Sequence, residues 1–471
     1  MTRNDELGVR IEQWFDEHRE EYLRDLSELV AVMSVAGAPE DGKPYGAGPC
    51  NALMLATEKL LDAGFEVLNF ENRVISADVG AGEAKLGMLA HLDTVGVAEG
   101  WDTYPFEAVY RDGLVYGRGV ADDKGPALAA LYAMRCAKEL GIPLKSRCRL
   151  ILGSAEETGC GDVTLYREKN PMPEYVFSPD SDYPIINIEK GRLVAEFSGA
   201  WAKEEGIPRI ISFTGGDTVN IVPRKAEAEL VGISMEEVCA GATGFAQKTG
   251  AEITVGETPD GTVRLTCIGK AAHAAHAEDG VNAQTALIAL LAALPLKGEG
   301  HRVCEALTRL MPHGDTRGEA MGIAASDDIS GALSLNFGVF TVSETGFSGN
   351  FDSRTPICSD DTDLASAVRK RFEGLGVTVT DVSVTKSHAT PADSPLVKTL
   401  LGIYEGYTGL KGECLAVGGS TYVHEIEGGV AFGCVFPGKD PNMHGANEHA
   451  DVEELLLSGK MFARAIAEIC G

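Results

Sequence analysis

Positive charge is scarce in this chain: 41 lysines and arginines face 70 aspartates and glutamates across 471 residues, a formal net charge of −29. Such a field repels polyanions, which excludes tight contact with nucleic acid or an anionic membrane surface and leaves a small substrate or a soluble partner. Long apolar runs are missing too, since none approaches the roughly 18 to 20 residues that a membrane span requires. The N-terminal stretch sets Ile11, Phe15, Tyr22, Leu26 and Leu29 among charged residues, which predicts an amphipathic helix without the apolar core of a signal peptide. The eleven cysteines form no CxxC pair, and Cys136, Cys267 and Cys434 sit in apolar segments, so reduced, mostly buried thiols in a cytoplasm are expected.

What the chain does have is enough apolar mass, 44% of residues, to bury two cores, and its length calls for two domains of about 200 residues or more. Short apolar runs at 86–90, 150–152 and 175–177, with an apolar helical pattern at about 126–140 between the first two, predict βαβ units around a mostly parallel sheet. After Lys190-Gly191 the pattern changes to alternating strands, a hairpin signal at Pro259-Asp260-Gly261, and helices at about 235–248, 282–294 and 363–375. It returns to α/β character with a helix at about 395–407, a strand at 430–436 and a last helix opened by Asp451-Val452-Glu453-Glu454, an N-capping sequence. The expected fold is therefore α/β. A catalytic domain is divided between residues 1–190 and 386–471, and an inserted α+β lid of about 195 residues spans 191–385.

Potential metal ligands lie at the ends of the apolar runs, where open α/β sheets bind their ligands. His91 and Asp93, two apart in extended chain, share a face. A histidine in that position is more often a hydrogen-bonded core group, but the Asp suits the task of orienting a ligand imidazole. Asp122-Asp123, after the glycine-rich turn Gly117-Arg118-Gly119, could simply cap a helix, although two acids there exceed what capping needs. A carboxylate spans two cations, which makes Asp122 the bridging candidate. Glu156-Glu157 follows the strand at 149–153, and adjacent carboxylates there repel unless cations or protons intervene. Glu157 is read as a ligand and Glu156 as general base, then acid to the leaving amine. Asp180 and His444 are weak singly; together they complete one ligand pair per ion, His91 with Glu157 or Asp180 and His444 with the other. Such a set suits two divalent ions and an activated water.

These motifs, with Glu156-Glu157-Thr158-Gly159 and Pro179-Asp180, closely resemble the co-catalytic zinc aminoacylase/carboxypeptidase/deacylase metallopeptidase superfamily, nearest to dipeptidase V-like members and related to carnosinases. The resemblance covers nearly the whole chain. It implies a zinc-peptidase-like fold, one ion held by His91 and Asp180, the other by Glu157 and His444, Asp122 bridging, Asp93 orienting His91, and a cis Asp122–Asp123 bond. It also implies His273, in Gly269-Lys270-Ala271-Ala272-His273, as oxyanion donor, Asn220 in substrate binding, Arg354 on the substrate carboxylate, and the turn Gly418-Gly419-Ser420-Thr421 offering N–H groups to that carboxylate. His424 departs from the Arg common in relatives, and Thr94-Val95-Gly96-Val97 replaces Val-Val-Pro.

The resemblance further implies, from Asp rather than Glu at position 180, a dipeptidase acting on unblocked dipeptides, with two divalent ions, zinc first and manganese or cobalt as alternatives. By the same resemblance the long insert implies a monomer with its oxyanion histidine in cis, in the cytoplasm that the cysteines predict. The alternatives are an N-acyl-amino-acid deacylase or desuccinylase and, in another class, a non-catalytic amino-acid or peptide binding protein.

Overall fold

The structure, a computed structural model, describes residues 3–97 and 99–471. It divides into two compact units. The first takes the chain up to Ile188, His388–Leu415 and Ser420–Gly471, and the second Glu189–Ser387 with Ala416–Gly419.

The first unit is α/β. Strands Arg147–Gly153, Ala84–His91, Tyr175–Ser178 and Val430–Ala431 run parallel and side by side. Antiparallel neighbours flank them: Val74–Val79 beside Arg147–Gly153, then Val67–Phe70, and Ile186 paired with Ala431 on the other side. The central strands are buried along nearly their whole length, as parallel strands covered on both faces must be. Helix Lys124–Glu139 buries almost every side chain, its alanines 127, 129, 130, 133 and 137 allowing close approach to the last helix, Val452–Cys470. Asp451 caps that last helix, accepting from the N–H groups of Glu453 and Glu454.

Two expected elements are interrupted. The N-terminal amphipathic stretch buries Ile11, Phe15, Tyr22, Leu26 and Leu29 as expected, but in two helices, Glu6–Glu17 and Arg19–Ala31. His18 stands between them, its ring stacked on Trp14 at 4.0 Å and its Nδ1 2.7 Å from the Trp14 carbonyl. The apolar run at 430–436 is split into Val430–Ala431 and Cys434–Val435, because Gly433 adopts φ +89° and turns the chain from one partner strand to another, Ser181–Asp182.

The second unit carries an eight-stranded sheet whose paired strands are all antiparallel. The Pro259-Asp260-Gly261 signal forms a hairpin between Glu252–Glu257 and Val263–Ile268, with Gly261 at φ +78°. Asn282 and Asp363 cap Ala283–Ala293 and Leu364–Glu373. The helix expected at 235–248 is broken at Gly244, φ +72°, and a helix not anticipated, Glu299–Leu310, packs its apolar face into the same core. Residues 416–419, expected with the second catalytic segment, group with this unit instead; the Lys190 N–H donates to Val417 O and Arg354 Nη1 to Gly418 O.

Among the described residues no helix is long and apolar enough to cross a membrane.

Candidate metal centre

His91, Asp122 and Asp180 sit where a strand has just ended or a helix is about to begin, whereas Glu157 and His444 lie in the longer connections 154–160 and 436–448. His91 is the last residue of its strand and is fully buried. Its Nδ1 lies 3.0 Å from the Asp93 carbonyl oxygen and 3.4 Å from the Asp93 carboxylate. The closer partner is therefore backbone; it places the ring hydrogen on Nδ1 and leaves the Nε2 lone pair facing inward. There Nε2 meets Asp122 Oδ1 at 3.0 Å and Asp180 Oδ2 at 3.5 Å. The other Asp122 oxygen lies 2.9 Å from His444 Nε2, which is 3.2 Å from Glu157 Oε1.

Two groups of three thus share Asp122: His91, Asp122 and Asp180, and Asp122, Glu157 and His444. Their donor chemistry fits divalent cations. Nε2 of His91 and Oε1 of Glu157 are buried without a hydrogen-bond partner, and a lone pair facing carboxylate oxygens is repulsive unless a cation or proton stands between them. Separations near 3 Å also match the edge of a tetrahedral site, about 3.3 Å for metal–ligand bonds of about 2.0 Å. The proton affinities of these groups reflect the same crowding of lone pairs and carboxylates. Burial lowers the affinity of His91 for a proton, yet contacts with Asp122, Asp180 and Asp93 more than offset it and leave the imidazole well above its usual range. Contact with Asp122, then Glu157, pushes His444 up to about 11. Burial, reinforced by neighbouring carboxylates, raises Asp180, Glu157 and, most strongly, Glu156.

A model described as "Peptidase family M20/M25/M40" matches residues 87–468. The chain belongs to this family. It is 34% identical over 459 residues to YtjP of Bacillus subtilis (strain 168), covering 96% of this chain and 97% of that protein. It is 32% identical over 468 residues to the beta-Ala-Xaa dipeptidase of Lactobacillus delbrueckii subsp. lactis, covering 98% and 99%. Among solved structures, human carnosine dipeptidase 1 matches with a TM-score of 0.59 at 16% identity over 98% and 99% of the two chains, a likeness of fold. M20/M25/M40 peptidases are metal-dependent, so this chain is a metallopeptidase.

Within this M20/M25/M40 peptidase the neighbouring acids have separate duties. Asp93, fully buried, accepts from the backbone N–H groups of both Glu156 and Glu157, each at 3.2 Å. Its carboxylate holds the turn that carries these glutamates and also lies 3.4 Å from Nδ1 of His91, the ring it is expected to orient. Asp123 does not cap its helix with its side chain; Oδ2 accepts from the His91 N–H at 3.0 Å. The Asp122–Asp123 bond is cis.

The expected substrate-binding residues of the second unit are placed as follows. Ile221 bridges His273, and the Ala274 N–H donates to Asn220 O at 2.8 Å, so Asn220 and His273 lie on adjoining segments. Nδ1 of His273 accepts from the Ala275 N–H at 3.3 Å. Arg354 is 6% exposed, and the fork expected to grip a substrate carboxylate is engaged within the unit. Nε and Nη2 donate to Asp352 at 2.9 and 3.2 Å, and Nη1 to Gly418 O at 2.6 Å. The reason is local: Asp352 lies two residues away on one extended strand and so shares its face. What Arg354 does in this arrangement is hold Gly418, next to Gly419. In the first unit, Ser420 precedes Thr421, whose side chain accepts from the Val423 N–H, and His424 stands 6.2 Å, ring to ring, from His388.

Sequence reasoning missed three buried groups that organise the centre. Asp162 accepts from the N–H groups of Ser154 and Ala155, just before the two glutamates, and from Tyr422 Oη at 2.5 Å. Tyr422 packs its ring against His91 with centroids 6.2 Å apart. Gly153 is required between them, because a Cβ there would lie 2.1 Å from Tyr422 Oη and 2.5 Å from Asp162 Oδ2. Glu448, fully buried, ties the Asp122 turn to the His444 loop. A single Glu four residues after a histidine carries no signal of its own in the sequence.

Proposed function

We propose that this metallopeptidase is a dipeptidase that cleaves unblocked dipeptides with a water activated between two divalent ions. The observation that carries the reading is the division of Asp122: one oxygen faces His91 and Asp180, the other His444 and Glu157. His91 and Asp180 would hold one ion, Glu157 and His444 the other, and Asp122 both. When bound, the ions supply Lewis acidity and make a water nucleophilic at neutral pH. A mixed set of imidazole and carboxylate accepts zinc, manganese or cobalt, with zinc the first expectation.

The chain's own groups then do the following. Glu156 belongs to neither group of three, so its carboxylate is left to take the proton of the attacking water and return it to the leaving amine. Burial and the surrounding carboxylates raise its proton affinity, which suits a group that must hold a proton between two transfers. Asp93 keeps the turn carrying Glu156 in place. His273 is assigned to the oxyanion, where a preorganised donor contributes about 3 to 4 kcal/mol. Asn220 and the turn Gly419, Ser420 and Thr421 are assigned to the substrate, with Arg354 supporting that turn through Gly418. A cytoplasmic monomer is the inferred setting.

The name of the Lactobacillus relative supports a substrate with a free amino end, as does Asp180. A panel of unblocked dipeptides against N-acetyl and N-succinyl amino acids, on metal-loaded protein, tests the choice. Faster turnover of the dipeptides is expected, and faster turnover of the blocked compounds would assign the chain to the deacylases.

A further inference from the structure

Asp122 and His444, the two sides of one proposed ion position, are 322 residues apart in the chain, and one buried ion pair connects the backbones that present them. Glu448 Oε1 accepts from the N–H groups of Gly119, Ala121 and Asp122 at 3.1, 2.9 and 3.2 Å. Its Oε2 receives Arg118 Nη1 at 2.7 Å. Arg118 completes the link, with Nη2 donating to Gly445 O at 2.9 Å, one residue beyond His444. Both side chains are at most 1% exposed, and the Glu448 carbonyl also accepts from the Gly117 N–H. His444 itself has a half-exposed side chain and φ +61°, so its loop depends on such ties for its place. The His91 side is anchored differently, by the parallel strands that carry His91 and precede Asp180 and by the Asp123 bond to the His91 N–H.

We propose that the Arg118–Glu448 pair is a positioning device for the metal centre, which holds the His444 loop against the Asp122 turn and thereby controls occupancy of the Asp122, Glu157 and His444 position, while Asp122 and the His91 position keep the separate anchor of Asp123 and the parallel strands. This rests on reading the two groups of three as two ion positions. A buried pair that served stability alone would not discriminate between them, since its loss would weaken the whole fold.

The test uses Mn2+ as probe on the metal-stripped full-length protein, with stepwise binding followed by calorimetry and by the electron paramagnetic resonance signal of a coupled ion pair. Wild type is compared with Glu448→Gln, which keeps an oxygen for the backbone donors, and with Arg118→Lys, a second variant should the first fold poorly. Wild type should bind two ions. In the variants the first step should be unchanged and the second weakened by about 10- to 100-fold, as for other groups that orient ligands, with the coupled signal returning at higher Mn2+. Equal weakening of both steps, or unchanged binding despite a lower melting temperature, would overturn the proposal. A wild type that binds a single ion would instead overturn the two-ion reading on which it rests.

Discussion

Replacing Asp93 separates two roles that its place beside His91 confounds. The carboxylate accepts from the Glu156 and Glu157 N–H groups, each at 3.2 Å, while the imidazole Nδ1 is served by the Asp93 carbonyl at 3.0 Å, which survives any side-chain change. Asp93→Asn keeps one acceptor oxygen and turns an amide NH2 toward the other donor. It therefore loses one hydrogen bond to a charged group in a buried site, about 1.5 to 3 kcal/mol. Asp93→Ala loses both, about 3 to 6 kcal/mol. The turn relieves the unsatisfied donors by moving, and a shift of the order of 1 Å in the groups it carries costs about 100-fold in turnover. The assay is kcat and KM on a dipeptide at saturating metal, with metal content measured in parallel. Asp93→Asn should lower kcat by about 100-fold with little change in metal content. Metal affinity lowered by about 10- to 100-fold with kcat preserved at saturation would refute the reasoning and return Asp93 to the role of orienting His91.

Glu156→Gln should keep both ions yet lower kcat by about 100- to 10,000-fold; an unchanged rate would refute its role as base. Gly153→Ala should destabilise the protein by about 1 to 3 kcal/mol, since its Cβ would strike Tyr422 Oη and Asp162. Wild-type denaturation by urea would contradict the packing described. Without bound metal, Asp122 and Glu157 raise His444 to about 11, and contacts with Asp122, Asp180 and Asp93 raise His91, so both hold a proton more tightly than a free imidazole, whereas ligation requires the neutral ring. Metal binding should release protons, and affinity should fall as pH is lowered from about 11 through neutrality. Calorimetry in buffers of different ionisation enthalpy measures the release, and binding without it would show the histidines outside the ion positions.

The α/β fold was legible because buried parallel strands read as short apolar runs, and 86–90, 150–152 and 175–177 all became strands of one sheet. The ligand candidates were legible together rather than singly: a lone histidine after a strand is more often a core group, but His91, Asp122, Glu157, Asp180 and His444 gather into two groups of three. What the sequence hid were contacts between distant segments. The bond between Asp162 and Tyr422 joins residues 260 apart, and the link between Glu448 and the Asp122 turn joins residues 326 apart. No local period encodes either. Breaks at His18, Gly244 and Gly433 escaped notice because apolar periodicity continues across them while the backbone turns. The engagement of Arg354 by Asp352 follows from strand alternation alone, beside the substrate carboxylate that the resemblance implies for the guanidinium.

The central claim is that Asp122 joins two ion positions and that turnover needs both. Metal-stripped protein titrated with Zn2+, with bound metal and dipeptide hydrolysis measured at each addition, tests it most directly. Two ions per chain and a rate that rises mainly with the second are expected. Full activity at one ion per chain, with no further ion bound, would contradict the account.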